Sequence, residues 1–210
     1  MSSDLTTARL SVYLRCLNYL EQEGLETVSS QELADKFHLN SAQIRKDLAN
    51  FGEFGTRGVG YNVTRLKAQL VHTLGIDRKR NVLIVGAGNL GMALADYRGF
   101  NSSGFEIVAL VDIDPEKAGR ASRSGIPVKP YSGLADVVRE NAVEIAVVAV
   151  TPESAQEVHD ALVAAGVLAI LNFAPVQLRT QPRVKVKTVD LRINLESLSF
   201  FLKNIEDGTF

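Results

Sequence analysis

The 210-residue sequence contains no tryptophan, three histidines and a single cysteine. Cys16 cannot form a disulfide within the chain, which fits a reducing compartment. No apolar run approaches the ~20 residues that a helix needs to span a bilayer. An acidic residue, Asp4, stands where a signal peptide has a cationic segment. We therefore expect a cytoplasmic protein that makes no use of a membrane.

The net charge of -1 conceals an uneven distribution of charge along the chain. Residues 43–80 contain 8 Lys and Arg against 3 Asp and Glu, which gives this segment a net charge of +5. Such a concentration of positive charge favours a polyanion as partner near this segment, with nucleic acid as the first candidate.

Residues 1–80 have the apolar spacing of helices. Ser29 is followed three residues later by Glu32, a capping-box pattern that opens a short helix. Asn40 or Ser41 is a suitable N-cap for the next helix, so that a tight turn joins the two. The first helix of the chain is predicted from leucines at helical spacing, namely Leu10, Leu14, Leu17 and Leu20.

The segment FGEFGTRGVGYNV, from residue 51 to 63, has glycines at 52, 55, 58 and 60. Glycine at this frequency suits a tight hairpin better than a helix. The predicted order of a helix, a helix–turn–helix and a hairpin is that of a winged helix-turn-helix DNA-binding domain. A last helix, from Thr64 to Leu74, completes the domain and ends before Gly75. The alternative is a small helical bundle with a solvated basic face.

A helix over residues 42–51 has the layout of a recognition helix. Ile44, Leu48 and Phe51 form one apolar stripe that faces the core, and Lys46 points away from it. Small alanines flank the stripe and let the helix approach a groove wall closely. The side chains expected to reach phosphates or base edges are Ser41, Gln43, Arg45, Lys46 and, at the hairpin tip, Arg57.

From Asn81 onward, continuous apolar runs alternate with helical stretches. This pattern predicts a parallel sheet covered on both faces, hence an α/β fold with a C-terminal Rossmann-like parallel-sheet domain. The charged linker DRKR at 77–80 separates this domain from the winged helix-turn-helix. We place the boundaries at 1–80, 81–192 and 193–210, the last being a C-terminal helix.

The run VLIVGAGNLG, residues 82–91, is a dinucleotide-binding fingerprint between a strand and a helix. Gly86 makes the turn, Gly88 lets the backbone approach the pyrophosphate and Gly91 allows the helix and strand to pack closely. Asp112 ends the next strand, where its carboxylate can bind the adenosine ribose and repel a 2′-phosphate, so NAD(H) is favoured over NADP(H). The predicted cofactor residues here are Gly86, Ala87, Gly88, Asn89, Leu90, Gly91 and Asp112. The alternatives are a glycine turn that binds nothing and a site for coenzyme A.

The sequence offers little for catalysis beside a nicotinamide, which needs an acid, a base or a nucleophile. His38 falls in the helix–turn–helix turn and His72 on the linker helix. His159 lies in mid-helix, where we expect it at the surface, and we expect Cys16 in the core. No metal-ligand cluster is evident. We therefore predict neither a catalytic residue nor a metal site.

The runs AQIRKDLANFGEFGTRGVGYNV, GAGNLGMALADY, NFAP (172–175) and VDLRINLESLSFFL (189–202), in this order, resemble the redox-sensing transcriptional repressor family Rex. The resemblance implies a homodimer that binds palindromic double-stranded operators when NAD+ dominates and releases them on binding NADH. It also implies a C-terminal helix swapped onto the partner subunit. By this analogy Tyr97 and Asn172 contact the cofactor, and Arg15, Tyr97 and Asp190 form a switch.

The two redox forms of the nicotinamide ring differ in charge, so discrimination has to occur at that end of the cofactor. An apolar pocket formed by Asn172–Pro175 and a C-terminal helix of the partner would disfavour the cation. The C-terminal segment independently carries an apolar stripe typical of an interface, the alternative being packing on its own core. This stripe consists of Leu195, Leu198, Phe201, Leu202 and Ile205.

Two other functions are compatible with these patterns. One is a small NAD-dependent oxidoreductase with an accessory DNA-binding-like domain. The other is a winged-helix regulator that binds coenzyme A or another nucleotide.

Overall fold

The computed structural model describes residues 4–52, 55–56, 59–101 and 103–208. The chain divides into two compact units, with the division between Arg78 and Lys79. Each unit has its own hydrophobic core.

The first unit is built on four helices in its described part, and all the leucines of the predicted first stripe are buried in its core. Ser29 caps the second helix, and the predicted capping box with Glu32 is present. Asn40 caps the third helix, and His38 lies in the left-handed conformation in the turn between them. The helices are α1 (Asp4–Gln22), α2 (Ser30–Phe37), α3 (Ser41–Ala49) and α4 (Val63–Thr73).

The predicted hairpin is present and belongs to a small antiparallel sheet. Strands β2 (Gly55–Thr56) and β3 (Gly60–Asn62) pair with each other, and β1 (Thr27–Val28) pairs with β3 on its other side. Strand β1 was not predicted from the sequence, because two residues are too few to show a strand period. This sheet next to the helix–turn–helix gives the unit its winged form.

The described part of the second unit contains a six-stranded parallel sheet of β4 (Arg80–Val85), β5 (Phe105–Asp112), β6 (Val128–Pro130), β7 (Ile145–Val148), β8 (Ala169–Asn172) and β9 (Lys185–Thr188). The order of the strands across the sheet is β6-β5-β4-β7-β8-β9. Alternate residues of β4 enter different cores: Leu83 and Val85 pack on one face, and Val82 and Ile84 on the other. Burial on both faces explains the continuous apolar runs. The helices are α5 (Asn89–Ala95), α6 (Arg98–Asn101), α7 (Leu134–Glu140), α8 (Pro152–Ala164) and α9 (Leu191–Glu206).

His159 on α8 is buried, with 2% of its surface exposed, so the expectation of a surface position was wrong. Its Nε2 lies 3.2 Å from Thr180 Oγ1 and its Nδ1 lies 2.8 Å from the Asp160 carboxylate. Thr180 lies in the loop between β8 and β9, so a segment distant in sequence contributes to the burial of His159.

The C-terminal helix α9 begins at Leu191, and Asp190 is its N-cap. None of its described residues is buried. The alternative that its apolar stripe packs on the core of its own unit was therefore wrong. The exposed apolar side chains of α9 are Leu191, Ile193, Leu195, Leu198, Phe200, Phe201, Leu202 and Ile205.

Candidate functional site

A cavity of about 520 Å³ lies at the carboxyl edge of the parallel sheet. It is lined by residues that follow successive strands, as expected for a ligand site in an open α/β sheet. Gly86, Gly88, Asn89 and Leu90 follow β4, and Phe173 follows β8. The remaining lining residues include Asp112 at the end of β5, Ile113 and Lys117 after it, Tyr131 after β6, and Val150, Thr151 and Ser154 after β7.

The three fingerprint glycines have different reasons to lack a side chain. Gly86 has φ +103°, and a Cβ there would lie 2.4 Å from the Ala149 carbonyl oxygen. A Cβ on Gly91 would lie 1.8 Å from the Gly86 carbonyl oxygen, so the contact of helix with strand requires glycine. A Cβ on Gly88 would meet no atom of the described residues within 4 Å. The fold therefore requires glycine at 86 and 91, whereas at 88 the open space belongs to the cavity.

The start of α5 presents backbone to this cavity. Gly88 is its N-cap and supplies no side chain to cap the first turn, while Asn89 and Leu90 line the cavity. Backbone N–H groups at a helix start are suited to a pyrophosphate. Ala87 and Gly91, which were also predicted to bind the cofactor, are buried and do not line the cavity.

Asp112 lies at the end of β5, and its carboxylate already has partners. It accepts hydrogen bonds from the Ala87 N–H at 2.7 Å, from the Asp114 N–H at 2.9 Å and from Lys117 Nζ at 3.2 Å. Burial by itself would raise the pKa of this carboxyl, but these three donors outweigh burial and lower it. The site therefore holds an anion at neutral pH, partly balanced by a lysine that the sequence analysis missed.

Asn172 does not line the cavity. It is fully buried, and its Nδ2 donates to the carbonyls of Ala174 and Val176 while its Oδ1 accepts from the Ala174 N–H. These bonds fix the turn after β8 that places Phe173 at the cavity. Its contribution is to shape the turn.

Tyr97 also lies outside the cavity lining. It follows α5, has 59% of its surface exposed and makes an edge-on ring contact with Phe100. The residues that the sequence analysis missed at the cavity include Tyr131, Thr151 and Ser154. None of these residues belongs to a recognisable sequence motif, so no signal in the sequence indicated them.

The helix–turn–helix surface of the first unit has α3 in the predicted orientation. Ile44 and Leu48 are buried and Phe51 packs partly against the same core. Lys46 and Arg45 are exposed and Ser41 is half-buried.

Two of the predicted DNA contacts on α3 have partners within the chain. Gln43 Nε2 donates to the Asp47 carboxylate at 2.8 Å, and Arg45 donates to Ser30 Oγ at 2.9 Å. Arg57 lies outside the described residues.

Asp47 on α3 is buried, with 1% of its surface exposed, although a charged residue next to a basic face would be expected at the surface. Its carboxylate accepts two hydrogen bonds from Arg9, one from the Tyr13 hydroxyl and one from Gln43. The bonds from Arg9 are the main reason that the pKa of Asp47 lies below its usual range. The network fixes α3 against α1.

The remaining predicted switch residues lie on α1 and at the start of α9. Arg15 is exposed on α1. The Asp190 carboxylate accepts a hydrogen bond from the Arg192 N–H and pairs with the Arg192 guanidinium at 3.0 Å, which lowers the pKa of Asp190. In the described part of the chain, no three His, Cys, Asp or Glu side chains lie close enough to hold a metal ion. No helix there is long and apolar enough to cross a bilayer.

Comparison with protein families gives a match for each unit. Residues 77–176 match the family described as "CoA binding domain", and residues 3–49 match that described as "Putative DNA-binding protein N-terminus".

Two relatives match along nearly the whole chain. The redox-sensing transcriptional repressor Rex of Desulfitobacterium hafniense is 46% identical over 197 residues, which cover 94% of this chain and 93% of the relative. That of Carboxydothermus hydrogenoformans is 50% identical over 200 residues, which cover 95% of this chain and 96% of the relative.

Solved structures of RSP, a Rex-family repressor, are similar over 99% of this chain. The complex of RSP with β-NAD+ and operator DNA has a TM-score of 0.93 at 37% identity and is covered to 94%. The complex with β-NADH has a TM-score of 0.86 at 36% identity and is covered to 96%.

Proposed function

Because the chain belongs to the Rex family of redox-sensing transcriptional repressors, we propose that it binds operator DNA when NADH is scarce and releases it on binding NADH. The observation that carries this proposal is the cavity at Gly88, in a chain whose other unit presents a recognition helix. The relatives match both units together, and RSP is known in complex with NAD+ and operator DNA and in complex with NADH.

The residues at the cavity fit a dinucleotide. The backbone from Gly86 to Leu90 would hold the pyrophosphate, and Asp112 would accept the adenosine ribose hydroxyls. Phe173 lies after β8, on the opposite side of β4 from Asp112, and provides an apolar surface for the nicotinamide. The cationic ring of NAD+ loses more hydration free energy at such a surface than the neutral ring of NADH. The cavity therefore favours the reduced form.

The DNA-binding form is proposed to be a homodimer. The apolar side chains of α9 are exposed along the whole helix, including Leu195, Leu198 and Phe201. A contiguous exposed apolar face of this kind marks an interface, and a second copy of the chain would cover it. A dimer also explains palindromic operators, because two recognition helices have to enter the major groove one or more helical turns apart. A rotation of the subunits on NADH binding would remove that fit.

Arg15, Asp190 and Tyr97 are proposed as the switch. An ion pair between Asp190 and Arg15 of different subunits would hold the operator-binding arrangement, and a contact of Asp190 with Tyr97 would belong to the NADH-bound one. The exposure of Arg15 and Tyr97 in this chain leaves both accessible to a partner subunit.

The deciding experiment is a gel shift on an operator that the protein itself selects from a random DNA pool, with NADH titrated at fixed NAD+. Release should follow the NADH/NAD+ ratio. Binding that ignores the ratio would contradict the proposal.

A coenzyme A site is the second candidate, because the family matching residues 77–176 is described as a CoA binding domain. Calorimetry with NADH, NADPH and coenzyme A separates the two. Tight coenzyme A binding without NADH binding would establish the alternative. An enzymatic role predicts NADH consumption with aldehydes, ketones or hydroxy acids, and we expect none above background.

A further inference from the structure

Tyr131 has a buried hydroxyl without a hydrogen-bond partner among the described residues. The same residue lines the cavity that contains Gly88 and Asp112. An unpaired buried hydroxyl costs free energy, and most such groups in proteins are paired. The hydroxyl therefore suggests a ligand atom as its partner.

The sheet order locates Tyr131 relative to the cofactor. The glycine turn follows β4, Asp112 ends the neighbouring strand β5, and Tyr131 directly follows β6 at the edge of the sheet. Neighbouring strands lie ~4.8 Å apart, so Tyr131 is one strand beyond the group expected to bind the adenosine ribose. Phe173 follows β8, on the other side of the turn. A dinucleotide laid along this edge therefore has its base at Tyr131.

The cavity that Tyr131 lines has apolar walls suited to a flat heteroaromatic ring. Ile113, Val150 and Val158 line the same cavity and offer apolar contact. Burial is the main cause of a raised pKa of Tyr131, to which the nearby Glu157 adds. The hydroxyl thus stays protonated at neutral pH and can donate to a ring nitrogen.

We propose that the Tyr131 hydroxyl forms a hydrogen bond with the adenine base of the dinucleotide. This inference rests on the proposed function, namely that the cavity binds NAD(H). It makes Tyr131 a binding residue for the adenosine half, which NAD+ and NADH share.

The test is Tyr131→Phe in the full-length chain, which keeps the ring and removes only the hydroxyl. NADH affinity should fall by about three- to tenfold, as expected for one lost hydrogen bond. ADP-ribose, which lacks the nicotinamide, should lose the same factor. The thermal stability of the ligand-free protein should not fall, because the hydroxyl has no hydrogen-bond partner to lose among the described residues. Tyr19→Phe, which removes an exposed tyrosine hydroxyl in the first unit, should leave both affinities unchanged.

The double variant Asp112→Asn/Tyr131→Phe distinguishes the base from the ribose. Additive losses of binding free energy are expected if the two side chains contact separate groups of the ligand. Strongly non-additive losses would place the hydroxyl on the ribose and overturn the assignment. So would a Tyr131→Phe protein that is less stable without ligand but has normal NADH affinity. If the unmodified protein bound no NADH, the proposed function itself would fail.

Discussion

The guanidinium of Arg9 on α1 donates two hydrogen bonds, at 2.5 and 2.8 Å, to the carboxylate of Asp47 on α3. The Tyr13 hydroxyl, also on α1, donates a third at 2.9 Å. Helix α3, the proposed recognition helix, is thus held by charged and polar contacts as well as by its apolar stripe. Arg15, the proposed switch residue, lies on the same first helix.

Asp47→Asn should destabilise the first unit by about 2–3 kcal/mol, because it leaves Arg9 and Tyr13 without their anionic partner. Operator affinity should fall as α3 loses its fixed position, and calorimetric unfolding together with gel shifts would measure the two effects. Asp35→Asn, the same change at an exposed position on α2, is the control and should be silent. Equal behaviour of the two variants would mean that the network does not position the helix.

The contribution of Asp47 should depend on pH. Its pKa is lowered in the folded chain, so its stabilising effect is complete above the unfolded-state pKa near 4 and is lost as the pH falls through the folded-state value. The difference in unfolding temperature between the unmodified protein and Asp47→Asn should be constant from about pH 5 to 7 and narrow below about pH 4. A constant difference down to pH 3 would contradict this expectation.

Gly88→Ala should spare the fold and weaken NADH binding by about tenfold or more, because its Cβ enters the cavity without touching protein. The protein should still bind operator and should respond poorly to NADH. Gly133→Ala is the matched control, since Gly133 also has open space at its Cβ and lies outside the cavity lining. Gly91→Ala should instead lower the unfolding temperature, because its Cβ collides with backbone. Normal NADH affinity in Gly88→Ala would show that the cofactor binds elsewhere.

Lys46→Ala should reduce specific operator binding by about 1–3 kcal/mol and relax base preference, because this side chain projects from the exposed face of α3. Gln43→Ala should act mainly on stability, since its amide is bonded to Asp47. Lys67→Ala removes a lysine that is paired with Glu21 and controls for the loss of charge. Competition gel shifts with mutated operators would separate these effects, and an unchanged base preference in Lys46→Ala would rule out the proposed base contact.

Asp112→Ala should weaken NADH binding and raise the affinity for NADPH relative to the affinity for NADH. The variant removes the ribose acceptor and the negative charge and leaves Lys117 near the position of a 2′-phosphate. Asp112→Ala/Lys117→Ala should lose the gain in NADPH affinity, which calorimetry with both cofactors would detect. A gain that persists in the double variant would exclude Lys117 as its source.

The proposed switch is best tested with Asp190→Asn, because Asp190 is also the N-cap of α9 and asparagine preserves that function. Arg15→Ala and Asp190→Asn should each weaken operator binding without NADH, and the double variant should be no weaker than either, since the two residues act as one pair. Tyr97→Phe should bind operator normally and require more NADH for release. Gel shifts at matched ionic strength would measure this, and additive losses would exclude the pair.

The local pattern of the sequence was sufficient for the parts of the molecule that depend on nearby residues. The capping box of Ser29 and Glu32 and the N-cap at Asn40 involve residues close in sequence, so their residue types specify the backbone. For the same reason the apolar periods predicted the helices of the first unit and strands β4, β5, β7 and β8 of the second, but not the short strands β1, β6 and β9. The motifs that resemble the Rex family predicted the function as well as the fold.

Only the tertiary structure decided which polar side chains are buried or form hydrogen bonds with distant residues. Asp47 is buried because Arg9 and Tyr13, more than thirty residues away, supply its hydrogen bonds. Asn172 shapes a turn, and Lys117 pairs with Asp112 at the cavity. Tyr131 reaches that cavity only because β6 pairs with β5. Such contacts depend on which distant elements meet when the sheet and the helices pack, and no local spacing encodes that meeting.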